Sequence, residues 1–420
     1  MTAHICALAT YLPAWGTAQA RVAGPDEDAV TMAVAAGRAA LAAAGRIEIQ
    51  HVVLVTRDSA LIEGGSAAMV LAGLDLPDGT RATEVLGGAP AVLDALTDAR
   101  PGTLVIGADT AGPAGAGAAV IAAEGSAIRP LARLDRSLPV HVRDAYGRVF
   151  DYADARLVRE RGVLAGLARL DLPGKPAAVA GLRGRDAASL TAGPGPALPT
   201  VGASSVLFAL AGLLAGREGG PVLAVEQATL TAAALEPGAT AVVADAPAPR
   251  PLPALRTSGD ADIKISLPAY ERAFDAKLRL AAGRCGSCGA LSLPPRLLCL
   301  ECGAQGTPEL VPLPRDAVVY TTVTVHTPVP GLAVPYSLAV VELGDTGVRL
   351  LTHVTDTEPG TVQIGDRGML LLRRVAIRSG VPDYGYAFAP TPATGATVAP
   401  AGTTGMTDTA GMTGTKGVAA

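Results

Sequence analysis

Apolar residues follow two different rhythms along this chain, and the change between them divides it. Through residues 1–245, runs that are apolar along their whole length alternate with alanine-rich stretches of helical composition. The runs are "HVVLVTR" (51–57), "GTLVIGAD" (102–109), "AAVAGLRG" (177–184) and "GPVLAVEQ" (220–227); the helical stretches include "EDAVTMAVAAGRAALAAAG" (27–45) and "SVLFALAGLLAG" (205–216). Strands without a polar face, separated by helices, predict a sheet covered on both sides, and hence an α/β layered domain.

Beyond residue 316 the rhythm shortens. The β-branched runs "AVVYTTVTVH" (317–326), "YSLAVVEL" (336–343), "VRLLTHVT" (348–355) and "GMLLLRRVAI" (368–377), split by Gly, Pro and Asp turns, predict a small β-barrel over 306–390. Between the two regions, "APAPRPLPALRTSGDAD" (246–262) places four prolines in its first eight residues, which neither a helix nor a central strand tolerates; it reads as a linker. "LPAYERAFDAKLRLAAG" (267–283) reads as one amphipathic helix. The tail 391–420 is Gly, Thr, Ala and Pro with almost no bulky apolar residue, too little to offset the entropy of ordering, and is expected to be disordered.

Composition narrows the function classes. A chain of 420 residues, 49% hydrophobic and 17% charged, supports two globular units. A net charge of −4 and 3% aromatic residues argue against a nucleic-acid partner, which needs a basic footprint or stacking platforms. The opening "MTAHICALATYLPAWG" lacks a basic n-region and is interrupted by Thr10 and Pro13, and the run at 205–216 is shorter than the roughly 20 residues a membrane helix requires. The expectation is a cytoplasmic protein with no membrane segment.

Four of the five cysteines fall within eighteen positions. Cys285 and Cys288 form one CxxC pair, Cys299 and Cys302 a second, with ten residues between the pairs and a glycine, Gly289 or Gly303, after each. Glycine permits the tight turn that aims two thiolates at one ion, and two such knuckles supply the four ligands of tetrahedral Zn2+. With all four positions filled by protein, the metal is structural, and residues 263–305 become a helix plus a zinc ribbon. The alternatives are two disulfides, disfavoured in a reducing compartment, an iron–sulfur cluster, or a site that has lost its metal.

A helix, a ribbon carrying "PPR" (294–296) between its knuckles and a small barrel ending in "YGYAFAP" together resemble the OB-fold, rubredoxin-like zinc-ribbon proteins that accompany thiolases and related acyl-CoA enzymes. The resemblance covers about 262–390. It implies an OB-fold barrel that handles acyl-CoA and docks beside a thiolase-fold partner.

The front of the chain carries a resemblance of its own. "ICALATYLP" followed by "GPDEDAVTMAVAAGRAAL" is similar to the opening of hydroxymethylglutaryl-CoA synthases and their β-ketoacyl synthase III relatives, and "GAGAAVIAAEGS" (115–126), "VRDAYGRVFDYADARLV" (142–158) and "VGASSVLFALAGLL" (201–214) follow in that family's order. This implies a thiolase-like domain over 1–245. Asp26, Glu27 and Asp28 would then open a helix, a placement that the helix dipole explains equally well. The family's chemistry uses a cysteine, a histidine and a glutamate. Aligned on "ATEVLGGAPAVLDAL" (82–96), the cysteine position holds Val85 or Leu86, and the histidine stretch 178–186 contains none. Asp58 lies about where the glutamate sits; its other reading is a solvated residue at a strand end.

The remaining candidates are Cys6, which reads as a small core residue, and His4, His51 and His141, which stand in no informative motif. His326 and His353, in the barrel strands, read as surface histidines that could approach a coenzyme A mouth. The resemblance therefore implies an acyl-CoA-binding partner or scaffold subunit without a nucleophile, dimerising with itself or with a catalytic thiolase-fold protein. The alternative is an active hydroxymethylglutaryl-CoA synthase-like condensing enzyme or thiolase-like aldolase with a non-standard site.

Overall fold

The computed structural model describes residues 2–59, 65–135, 141–144, 148–151, 154–227, 229–257, 266–327 and 332–391. The expected disordered tail lies outside them apart from Thr391.

The front domain is one ten-stranded mixed sheet built from two copies of a motif. The first copy runs β1 (Ala3–Tyr11), α1 (Ala29–Ala44), β2 (His51–Thr56), α2 (Ala67–Gly73), β3 (Arg81–Leu86), α3 (Ala89–Asp98), β4 (Thr103–Asp109) and β5 (Gly115–Ala122). Its strands lie in the order β3-β2-β4-β5-β1, with β2 parallel to β3 and β4, and β5 antiparallel to β4 and β1. The second copy has β6 (Ser126–Leu134), β7 (Ala178–Ala180), α4 (Gly184–Leu190), α5 (Ser205–Ala215), β8 (Gly220–Glu226) and β9 (Thr229–Glu236). Its order, β7-β8-β9-β6, repeats the first with the same parallel and antiparallel pairings. Among the described residues no strand stands opposite β3. A last strand, β10 (Ala241–Asp245), pairs parallel with β1.

Side-chain alternation explains why these strands have no polar face. Val52 and Leu54 join the core under α1, while Val53 and Val55 point the other way, to α3 and α5. In the second copy Ala178 and Ala180 face that same middle layer, and Val179 packs outward with Val163. α3 and α5 are thus enclosed between the two half-sheets, and α5 is almost wholly apolar because its residues 205–210, 213 and 214 are buried. At Gly117 a Cβ would stand 2.5 Å from that of Leu207, so glycine there lets α5 seat on β5.

The acidic triplet departs from expectation. α1 begins at Ala29, with Asp28 as its cap: the Asp28 carboxylate accepts from Thr31 N–H, and Thr31 Oγ1 accepts from Asp28 N–H. Asp26 and Glu27 precede the helix and turn toward the barrel.

The linker crosses in contact with the protein. Arg250 N–H donates to Ala14 O and Gly16 N–H to Arg250 O, and Arg256–Thr257 pair with Ala333–Val334. The helix after it, α6, spans Leu267–Lys277 and not 267–283. Leu280 adopts φ 51°, and β11 (Ala281–Arg284) then pairs with β12 (Leu291–Ser292) and β13 (Glu309–Pro312) to form the ribbon's sheet. Strand pairing claims those last residues, overriding their helical composition. The barrel closes through β14 (Asp316–Val325), β15 (Tyr336–Leu343), β16 (Arg349–Val354), β17 (Arg367–Arg378) and β18 (Val381–Pro390). Its buried residues are continuous with the core beneath α1 and α2.

Candidate functional site

The cysteines meet as their spacing requires. Cys285, Cys288, Cys299 and Cys302 place their sulfurs within 4.8 Å of one another. Cys285 and Cys302 are 3.7 Å apart, Cys288 and Cys299 3.6 Å. A tetrahedron of sulfurs about 2.3 Å from a central zinc has edges of about 3.8 Å. The set therefore fits Zn2+ and leaves no fifth position. Each knuckle closes with a backbone bond, Gly289 N–H to Cys285 O and Gly303 N–H to Cys299 O, with both glycines at positive φ. Backbone N–H groups of Cys288 and Ser287 hold the Cys285 thiol down to about 6. Against the lowering effect of Ala290 N–H, the thiols of Cys302 and Cys299 push Cys288 up to about 12. Four thiols this close cannot all ionise without a cation among them.

The N-termini of the two enclosed helices form a related pair. Each carries backbone N–H groups without helical partners and the positive end of the helix dipole, a ready seat for an anion. The last residue of the repeat-equivalent strand fills it in both cases. Asp109, ending β4, accepts from Ala203 N–H (2.7 Å), Ser204 N–H (2.8 Å) and Ser204 Oγ (2.5 Å) at the start of α5; burial raises its carboxyl, while these bonds from Ser204 and Ala203 oppose the shift. Glu226, ending β8, accepts from Gly88 N–H (2.9 Å) at the start of α3 and pairs with Arg57.

This second seat adjoins the positions where the resemblance sought a cysteine. Val85 is half-buried against the middle layer and Leu86 is 77% exposed. Asp58 Oδ2 accepts from Thr110 N–H (2.7 Å) and Ala111 N–H (3.1 Å), fastening the turn after β4. Cys6 lies on β1 with its thiol raised by burial and its Sγ 3.4 Å from Val120 O. His4 sits on β1, and His51 Nε2 meets Thr83 Oγ1 at 2.9 Å. His326 is exposed, the side chain of His141 lies outside the described residues, and His353 is half-buried with its ring 5.2 Å from that of Tyr336.

Sequence reasoning missed a buried cluster at the junction of barrel and front domain. Arg373, 1% exposed, reaches Asp356 (2.6 Å), Glu27 (3.7 Å), Asp26 (3.9 Å) and Tyr11 Oη (3.4 Å), and Tyr11 donates to Glu27. The available signal was Arg373 and Arg374 inside the apolar run "LLLRRVAI": a charge pair in a strand core needs a buried counter-charge.

Residues 310–367 match the family described as ChsH2, C-terminal OB-fold domain, and residues 275–308 the family described as ChsH2, rubredoxin-like zinc ribbon domain. The DUF35 domain-containing scaffold protein of Methanothermobacter thermautotrophicus is 29% identical over 118 residues, 27% of this chain and 88% of that protein. Its namesake in Methanocaldococcus jannaschii is 32% identical over 111 residues, 26% of this chain and 78% of that protein. Among solved structures, 3-oxoacyl-(acyl carrier protein) synthase III, FabH, of Pseudomonas aeruginosa is similar at 18% identity and a TM-score of 0.46, over 56% of this chain and 98% of its own. No helix of the described residues is long and apolar enough to cross a membrane. Through the zinc ribbon and OB-fold barrel that follow its layered front domain, the chain belongs to the DUF35 domain-containing proteins.

Proposed function

We propose that this protein is a thiolase-type partner subunit that forms no acyl-enzyme: it binds acyl-CoA or docks a catalytic thiolase-fold chain, and its structural Zn2+ ribbon and barrel frame the joint site. The observation that carries this reading is the start of α3. The residues before it, Val85 and Leu86, cannot attack a thioester, and the N-terminal seat behind them is closed by the Glu226 carboxylate held by Arg57. A helix N-terminus already neutralised from within has no vacancy for the anionic groups of acyl transfer. The scaffold role named for both archaeal relatives supports the partner assignment.

The test is intact-protein mass spectrometry after incubation with acetyl-CoA under conditions that preserve a thioester, with calorimetry of coenzyme A binding in parallel. The reading expects no acetyl adduct, and either a calorimetric signal or co-purification with a thiolase-fold chain. A stable adduct, or turnover of acyl-CoA by the purified chain alone, would sink it and leave a condensing enzyme or aldolase with a relocated nucleophile.

A further inference from the structure

A cavity of about 650 Å³ opens where three parts of the chain meet. Trp15, Pro25 and Asp26 come from the N-terminal segment, Pro253 and Leu255 from the proline-rich crossing, and the rest from the barrel, including Tyr336, His353 and Ile377. Its size falls in the range of small-molecule sites, and its walls have their usual make-up, apolar surface with a few convergent polar groups. The crossing becomes a wall because Arg256–Thr257 are pinned to Ala333–Val334 beside it.

The polar groups are selective in what they can meet. His353, on β16, is held below its usual pKa by burial, with Asp26 acting in the opposite sense, so at neutral pH the ring offers one N–H and one bare nitrogen. Asp26 and Asp356 both face Arg373, at 3.9 and 2.6 Å, so neither is an open counter-ion for a cationic ligand. Arg374 is the single Lys or Arg among the described lining residues, and it donates to Pro25 O. One engaged guanidinium beside two carboxylates is a poor seat for phosphates or for a free carboxylate. Trp15 keeps its indole N–H sealed against Gly24 and out of a ligand's reach, so what the ring presents to the cavity is apolar.

The geometry points to a binding site for an uncharged, largely apolar molecule carrying a hydroxyl or carbonyl oxygen, its body against the proline wall and its oxygen at His353. This site stands on the cavity's own chemistry and does not depend on the docking role proposed above.

Trp15 is the chain's only tryptophan, so its fluorescence reports the cavity directly. The full-length protein would be titrated with 1-decanol, 2-decanone, decanoate and decylamine. The expected result is a saturable change with decanol and decanone, at least tenfold tighter than with either ion. His353→Phe, which keeps the ring's bulk, should weaken decanol about three- to tenfold, the loss of one hydrogen bond, and Ala376→Phe should abolish binding by filling the space. Thermal unfolding of both variants identifies those that fold. The proposal is overturned if no probe gives a saturable change, if decanoate or decylamine binds as tightly as decanol, or if a folded Ala376→Phe binds decanol unchanged.

Discussion

Arg373 of the barrel and Glu27 of the front domain face each other at 3.7 Å, each almost fully buried, so the two parts of the molecule meet across a charge pair sealed from water. Asp356 and Tyr11 complete the cluster. Removing one partner of such a pair leaves the other charge buried and uncompensated, which typically costs about 3–5 kcal/mol. Arg373→Met should therefore lower the stability of the junction by that order, measured by denaturant unfolding. Arg373→Met combined with Glu27→Gln should recover part of the loss; a double variant no more stable than Arg373→Met alone rejects the coupling.

The same cluster sets a pH dependence. Burial raises the Glu27 carboxyl above its usual value, and Arg373 pulls it only part of the way back. The folded state thus holds this proton more tightly than the unfolded chain does. Its stabilising effect is fully present below the unfolded carboxyl range, near pH 4.3, and is lost as pH rises through the higher folded value. Asp26 is raised with the same sign and burial as its first cause. Glu27→Gln cannot ionise, so its denaturation midpoint should fall less than that of the wild type between pH 5 and 8. Parallel curves for the two proteins would count against the shift.

What was legible from the sequence was local. The ribbon could be read because only two and ten residues separate its successive ligands, and the barrel because each strand carries its own β-branched run. The rest depended on distant residues. Gly88 and Glu226 are 138 positions apart, and Tyr11 and Arg373 are 362 apart. Asp26 and Glu27 read as first-turn acids because nothing nearby reveals an arginine arriving from the barrel. Similarly, "LRLAAG" continues a helical composition, but Ala282 and Gly283 pair with Val311 and Leu310, and that pairing ends the helix at Lys277. The proline-rich crossing was read from what prolines forbid, and its role as a cavity wall depends on barrel residues that close against it.

Metal analysis of the purified protein should find one zinc per chain. Metal-ion binding at four thiols releases protons and contributes folding free energy to its own loops, about 10–16 kcal/mol in isolated zinc-finger peptides. Strong chelation, or Cys299→Ser, should remove the metal and lower the unfolding temperature, with the loss centred on 285–302 by hydrogen exchange. Full thermal stability in a metal-free Cys299→Ser protein would show that the ribbon holds without the ion.

The seat at the start of α3 gives a two-step prediction. Glu226→Ala removes the acceptor for Gly88 N–H and the partner of Arg57, and should cost about 1–2 kcal/mol, the usual worth of a helix-terminal carboxylate and cap. It should still form no adduct with acetyl-CoA, because no thiol stands beside it. Val85 faces the middle layer close to this seat, so Val85→Cys supplies a thiol, but the Glu226 carboxylate disfavours a second negative charge there and the thiol should stay protonated and inert. Val85→Cys with Glu226→Ala vacates the seat, lets the helix dipole lower the thiol's pKa, and should give slow acetylation detectable as a mass shift. Acetylation of Val85→Cys with Glu226 in place would show that the carboxylate does not close the site, and the case for a subunit that lost its nucleophile and sealed the position would fail with it.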